Sequence, residues 1–192
     1  MLQLLAELDR RLGELDEAVK RAAEEHPEAR LLMTQPGVGP ITSLAFVLTI
    51  GDVSRFAHSN QVASYVGLIP REHSSGGKQR LGSISKQGNR FLRQLLVEAA
   101  QSVTRLDEGF RKQYQARCHH KPKGVAKVAA ARKLAVRLYW MLKQNVSYPE
   151  IALIESSSRV SLRGEWHLAT LNERSRIQQV GWMSAWKHHG LL

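Results

Sequence analysis

The residues best equipped for chemistry fall in one stretch, Arg71–Arg93, which reads REHSSGGKQRLGSISKQGNRFLR. Two adjacent hydroxyls, Ser74 and Ser75, are followed by Gly76 and Gly77, with Gly82 and Gly88 soon after. Six cations are spread among them: Arg71, Lys78, Arg80, Lys86, Arg90 and Arg93. Hydroxyls, backbone amides and Lys/Arg together are what a phosphate group needs. Glycines let the backbone take positive φ and approach a partner closely. Leu81 and Ile84 are the only large aliphatics between Pro70 and Phe91, so the stretch cannot form a core. It reads as an exposed, basic loop held by helices on either side; a flexible solvated linker is the plainer alternative.

The charge balance supports a polyanionic partner. Over 192 residues, 28 Lys and Arg oppose 17 Asp and Glu, formally +11. Residues 1–30 hold 5 basic and 8 acidic residues, whereas residues 71–145 hold 17 basic and 4 acidic, net +13. A cationic segment beside an acidic one points most simply to nucleic acid. An anionic membrane surface is the competitor, but aromatic anchors are scarce within the basic stretch. The single Cys118 excludes an internal disulfide and suits a reducing compartment. Cys118, His119 and His120 are adjacent and cannot surround a tetrahedral zinc, so no metal is expected. No run of about 18 apolar residues occurs, nor a charged-then-apolar leader. A soluble, cytoplasmic chain with no membrane partner is expected.

The elements that must position the loop can be read from periodicity. Residues 2–28 read as a helix with Leu5, Leu8, Leu12, Leu15, Val19 and Ala22 at spacings 3, 4, 3, 4, 3. That is a heptad seam, or else the apolar stripe of a helix packed on its own domain. His26-Pro27 should end or kink it. In residues 31–51 a short helix, a Pro36-Gly37-Val38-Gly39-Pro40 turn and an apolar helix suggest a helix-hairpin-helix. In that motif the amides around Gly37 and Gly39 face a phosphate without reading bases; a bend between packed helices is the alternative. Asp52–Phe56 reads as a loop. Residues 59–67 read as a short helix capped by Ser59 or Asn60 and closed at Gly67. Ile84-Ser85 is expected to pair with Gln79–Leu81 in a small hairpin.

Further on, Gly88–Arg105 should be helical with Phe91, Leu92, Leu95, Leu96, Ala99 and Val103 buried, leaving Arg90, Arg93 and Arg105 off the stripe. Asp107–Arg117 reads as a polar helix, and Lys121-Pro122-Lys123-Gly124 as a cationic joint. A third helix over 125–145 should turn Ala129, Leu134, Leu138 and Leu142 inward and Lys127, Arg132, Lys133 and Arg137 outward. The fold class is therefore mainly α. It divides into a coiled-coil or dimerisation helix (1–30), a central domain (31–146) and a tail of unknown role (147–192). The central domain holds a helix-hairpin-helix-like part (31–70), the serine loop (71–88) and basic helices (89–146). The tail carries three of the four tryptophans, Trp166, Trp182 and Trp186, and is expected to be poorly ordered or separately docked.

With those residues assembled, Gln35–Ala100 closely resembles the C-terminal transposase domain of the IS-one-ten family of insertion-sequence transposases, the group that includes the Piv-type DNA invertases. The resemblance rests on the Pro-Gly-x-Gly-Pro turn, Gly67-Leu68-Ile69-Pro70, the Ser-Gly-Gly-Lys run, and Lys86-Gln87-Gly88-Asn89-Arg90-Phe91-Leu92-Arg93. It implies DNA transposition or site-specific recombination, in which a serine of the Ser-Gly stretch attacks a DNA phosphodiester and becomes joined to DNA. That role carries to Ser75, directly before Gly76, with Ser74 competing. Lys78 and Arg80, then Lys86 and Arg90, would stabilise charge on the phosphate, and Arg71, Gly76, Gly77, Asn89 and Arg93 would complete the nucleic-acid contact. A serine hydroxyl needs a base or a metal to activate it. The resemblance supplies this from an N-terminal RuvC-like domain that binds magnesium through an acidic cluster. It also implies oligomers through residues 5–22, DNA ends and target as substrates, and a structured guide RNA.

The sequence departs from that pattern in one respect. It begins almost at the heptad helix, so the RuvC-like part is expected to be missing, and with it the magnesium; no cofactor is expected on this chain. Glu7, Asp9, Glu14, Asp16 and Glu17 read as a solvated helix face instead. Such a C-terminal half should bind nucleic acid without completing transposition alone. The alternative is a catalytically inactive nucleic-acid-binding or dimerising remnant. An unrelated helix-hairpin-helix repair protein would leave the serine loop unexplained.

Overall fold

Proline and glycine set most of the element boundaries. In a computed structural model that describes residues 1–76 and 80–157, helix α1 (Leu2–Glu25) stops at an extended His26 because Pro27 follows. Pro27 then opens α2 (Pro27–Met33), a position where its missing N–H costs nothing. Pro40 likewise opens α3 (Pro40–Ile50) after Gly39. A single 3-10 turn, Val53–Arg55, is capped by the Asp52 carboxylate, which accepts from Ser54 N–H at 2.8 Å. Helix α4 (Ser59–Tyr65) follows, then strands β1 (Pro70–Glu72) and β2 (Leu81–Ile84). The rest is helical: α5 (Arg90–Leu106), α6 (Glu108–His120), α7 (Lys123–Gln144) and α8 (Tyr148–Ser157). The mainly α class is thus observed, and residues 1–158 form one compact unit. Of the tail expected to be poorly ordered or separately docked (147–192), Tyr148–Ser157 instead form α8, held by Tyr148 N–H donating to Thr34 Oγ1 at 2.9 Å and by a buried Ile151. The rest, from 158 onward, lies outside the described residues, as do Gly77, Lys78 and Gln79.

Helix α7 is the centre of the core. Ala126, Ala130, Ala131 and Ala135 let neighbouring helices come close, while Leu134, Leu138, Tyr139 and Met141 fill the space between them. Against it lie Leu92, Leu96, Ala99, Ala100 and Val103 of α5, Val62 and Ala63 of α4, and Phe110 of α6. The tight turn after α2 packs on α5. Gly37 has φ +85°, and an added Cβ would sit 2.7 Å from the Val103 backbone nitrogen. Only glycine fits there.

One polar cluster is sealed inside this core. Arg137 is 2% exposed and its Nη1 donates to Asp107 Oδ2 at 2.7 Å and to Gln35 Oε1 at 3.2 Å. Asp107 also caps α6 by accepting from Phe110 N–H at 2.9 Å, and accepts from the Tyr148 hydroxyl at 3.1 Å. The cluster therefore ties the α2–α3 turn, the α5–α6 junction, α7 and α8 to one another. Burial pushes the Asp107 carboxyl up, but its hydrogen bonds from Arg137 and Phe110 outweigh this and hold it below the usual carboxylate range.

Several expectations from the sequence are corrected here. Arg137, expected outward, is buried, because it has a carboxylate partner in Asp107 and an aromatic face in Phe110 at 4.3 Å. Lys133 lies over the same ring at 4.7 Å and donates to Gln113 at 2.7 Å, and Arg132 donates to Asn60 at 3.2 Å. The strand partner of Ile84 is Pro70 rather than Gln79–Leu81; Leu81 instead pairs with Glu72, in β1. Phe91, expected in the buried stripe of α5, is 58% exposed, and the register is carried by Ala100 in its place. Ala129 and Leu142 are half-buried rather than interior. The cap of α4 is His58, before the expected Ser59 or Asn60, and its N–H donates to Gln61 Oε1 at 3.3 Å.

Candidate nucleic-acid interface

The serine stretch is an exposed antiparallel hairpin raised on a rigid neck. At the neck two glycines cross. Gly67 has φ +77° and a Cβ there would lie 2.1 Å from the Gln87 carbonyl oxygen; Gly88 has φ +79° and a Cβ would lie 1.9 Å from the Tyr65 carbonyl oxygen. Such contacts admit no side chain, so both ends of the hairpin are glycine by necessity. Backbone bonds close the crossing: Ser85 N–H donates to Ile69 O at 2.8 Å, and Lys86 N–H to Gly67 O at 3.2 Å. Arg93 then clamps it from α5, its Nη1 donating to Val66 O at 3.0 Å and Gln87 O at 2.9 Å. Asn89 caps α5, accepting from Phe91 N–H at 2.9 Å and Leu92 N–H at 3.1 Å.

Above the neck the ladder continues through His73 N–H to Arg80 O at 2.8 Å. Ser74 and Ser75 lie at the end of the first arm, both exposed. The Ser74 hydroxyl donates to the Glu72 carboxylate and accepts from Arg80 N–H at 3.3 Å. Sequence reading had passed over Glu72; its position two residues before a hydroxyl was the available signal. Gly76 has φ +58°, in the left-handed region that favours glycine. Lys86, at φ +56°, is a non-glycine in the left-handed region, a strained conformation that the crossing beneath it enforces. Arg71 reaches across the hairpin to Ser85 O at 3.1 Å. Arg71, Arg80, Lys86 and Arg90 are all exposed around the hairpin and its base.

The residues singled out by sequence therefore separate into two groups. Arg71, Ser74, Ser75, Gly76, Arg80, Lys86 and Arg90 share the hairpin and its root, while Arg93 and Asn89 hold the root in place. Gly77 and Lys78 lie outside the described residues. Gly37 packs against α5, and Gly39 is exposed at the start of α3, with open space where a Cβ would stand. Around the basic helices many cations are engaged internally. Lys143 donates to the Tyr139 hydroxyl at 2.7 Å and to Ala57 O at 3.3 Å, and Arg111 to Thr104 O at 3.3 Å. Burial, then the neighbouring Arg117, pushes the Arg132 guanidinium below its ordinary value.

Among the described residues no group of three or more His, Cys, Asp and Glu could hold a metal ion. The magnesium implied by the resemblance thus finds no fitting donor set on them. No helix among them is long and apolar enough to cross a membrane.

Comparison with known sequences places the hairpin inside a matched family domain. The family described as Transposase IS116/IS110/IS902 matches residues 29–115, a span from α2 through the hairpin into α6. A Pseudomonas aeruginosa protein named "Probable family 20 transposase" is 33% identical over 148 residues, covering 75% of this chain and 44% of the relative. The transposase for insertion sequence element IS1111A of Coxiella burnetii is 38% identical over 97 residues, covering 50% of this chain and 27% of that protein. The pilin gene-inverting protein of Moraxella bovis is 31% identical over 144 residues, covering 73% and 44%. The chain thus spans less than half the length of these relatives. Residues 29–115 thus match the transposase domain described as Transposase IS116/IS110/IS902.

Proposed function

We propose that the hairpin is the DNA-attacking element of a transposase or site-specific recombinase, and that Ser75 is its nucleophile. The observation that carries this is the build of the hairpin: a crossed-glycine neck clamped by Arg93, with two exposed serines flanked by Arg71, Arg80, Lys86 and Arg90. A phosphodiester brought to that surface would meet cations positioned to stabilise charge on its oxygens. A rigid root matters because misplacing a nucleophile by about 1 Å can cost on the order of 100-fold in rate.

Activation of the hydroxyl is expected from an acidic, magnesium-binding part, since no group of three or more His, Cys, Asp and Glu among the described residues could hold a metal ion. The described residues by themselves should then bind DNA without cutting it. The exposed leucines of α1 support oligomerisation through residues 5–22: Leu5, Leu8, Leu12 and Leu15 are 52%, 48%, 57% and 62% exposed on a helix laced with Glu7–Arg11 and Glu17–Lys20 ion pairs. A structured guide RNA remains part of the proposal. The test is covalent capture on element-end DNA with magnesium, with and without a separately added RuvC-like half. A serine-linked adduct should form only with that half, vanish in Ser75→Ala and persist in Ser74→Ala. Robust cleavage by this chain unaided would contradict the division of labour. A second reading assigns the attack to Ser74, whose hydroxyl already donates to Glu72; an adduct mapped to Ser74 would establish it. An inactive remnant would give no adduct in any combination.

A further inference from the structure

A groove of 260 Å3 lies where the C-terminal half of α5 meets α6 and α7. Its rim carries Gln101, Thr104 and Arg105 from α5, Tyr114 from α6 and Lys127 from α7, over a floor of two alanines. It is separate from the serine hairpin, since Arg105 stands 16 residues beyond Asn89 on one helix, about 24 Å at 1.5 Å per residue. No carboxylate among the described residues lines it. Among the described residues no ion pair or hydrogen bond engages the side chains of Arg105 or Lys127. The rim is also fixed in place, because Arg111 donates to the carbonyls of Thr104 and Arg105 at the end of α5.

Two cations at the mouth with no partner among the described residues call for an anion. A half-buried phenol ring beside an amide and a hydroxyl calls for a flat, polar-edged group next to it. The volume falls just under the about 300 Å3 at which drug-sized pockets begin, so a unit smaller than a whole cofactor fits, with room to continue outward. A base in a duplex keeps its face stacked and cannot offer it to Tyr114, whereas an unpaired one can. We propose that this groove holds one unstacked nucleotide of a single strand, RNA or DNA, with its phosphate on Arg105 and Lys127 and its base against Tyr114. The inference rests on the nucleic-acid-binding reading above and gives that reading a second site.

The experiment uses the full chain and fluorescein-labelled single-stranded oligonucleotides of one sequence, in ribo and deoxyribo form, beside the corresponding DNA duplex. Tyr114→Ala should weaken single-strand binding at least about fivefold, with Tyr114→Phe restoring it. Arg105→Gln with Lys127→Gln should lower the slope of log affinity against log salt by roughly 1.4, about 0.7 for each lost single-strand contact. Duplex binding and melting temperature should hold. The strand type showing the larger loss is the one the groove accepts. Effects no greater than those of Lys121→Gln, an exposed cation of the α6–α7 joint, or an equal loss on duplex, would overturn the groove while leaving the hairpin proposal standing. Wild-type chain that binds none of the three probes would overturn both.

Discussion

Replacing Arg137 with methionine tests how the core supports the hairpin. Methionine keeps an apolar stem against Phe110, where the guanidinium now sits at 4.3 Å, but removes the partner of Asp107 at 2.7 Å. Asp107 is itself 7% exposed, so the variant leaves a carboxylate in the interior with only Phe110 N–H and the Tyr148 hydroxyl. Breaking a buried pair from one side costs about 3–5 kcal/mol. For a unit of this size that corresponds to a melting temperature lowered by about 6–20 °C. The pH dependence has a definite sign. In the wild type the Asp107 carboxyl is depressed; its contribution is full above the unfolded value near 3.9 and is lost as pH falls through the folded value. In the variant, burial without Arg137 raises the same group, so the folded state gains from its protonation as pH falls. The gap between the two proteins should be widest near neutrality and narrow toward pH 4. Thermal melts by circular dichroism across that range would show it. A gap under about 1 kcal/mol, or one independent of pH, would refute the reasoning.

Three further outcomes follow from the geometry. Gly88→Ala should disorganise the neck, because alanine at φ +79° costs roughly 1–2 kcal/mol before the clash with Tyr65 O is counted; limited proteolysis should then cut between Glu72 and Arg80 with the helical signal retained. Leu8→Asp with Leu12→Asp should reduce any oligomer to a monomer in light scattering, with a melting temperature changed by only a few degrees, since neither side chain is buried. Ser85→Ala should leave stability unchanged or slightly raised in the same thermal melts, because the Ser85 hydroxyl is buried without a hydrogen-bond partner among the described residues.

Helix periodicity and Pro/Gly punctuation made the element order legible, from α1 to the α6–α7 joint. What escaped was the partner of each charged side chain. Lys127, Arg132, Lys133 and Arg137 all looked available, yet Arg137 is drawn inside by Asp107, a residue 30 positions away. Such long-range pairing leaves no trace in local spacing. A small hairpin was expected within residues 79–85, whereas the observed one pairs Pro70–Glu72 with Leu81–Ile84, because the glycines that set it, Gly67 and Gly88, are 21 residues apart and meet only in the fold. The serines and their cations were legible as types. The hydrogen bond from Ser74 to Glu72, and the clamp from Arg93, became visible only with the backbone in place.

The central claim, that the hairpin engages nucleic acid, is tested most directly by duplex DNA binding across a salt series. The comparison is between the wild-type chain and one carrying Arg80→Gln, Lys86→Gln and Arg90→Gln. Each phosphate contact contributes roughly 0.9 to the log–log slope on duplex DNA. Three exposed cations around one hairpin and its root should therefore flatten that slope by about 2.7 and weaken binding most at low salt. An unchanged slope, with binding as tight as before, would mean the hairpin is only a solvated surface and would contradict the account.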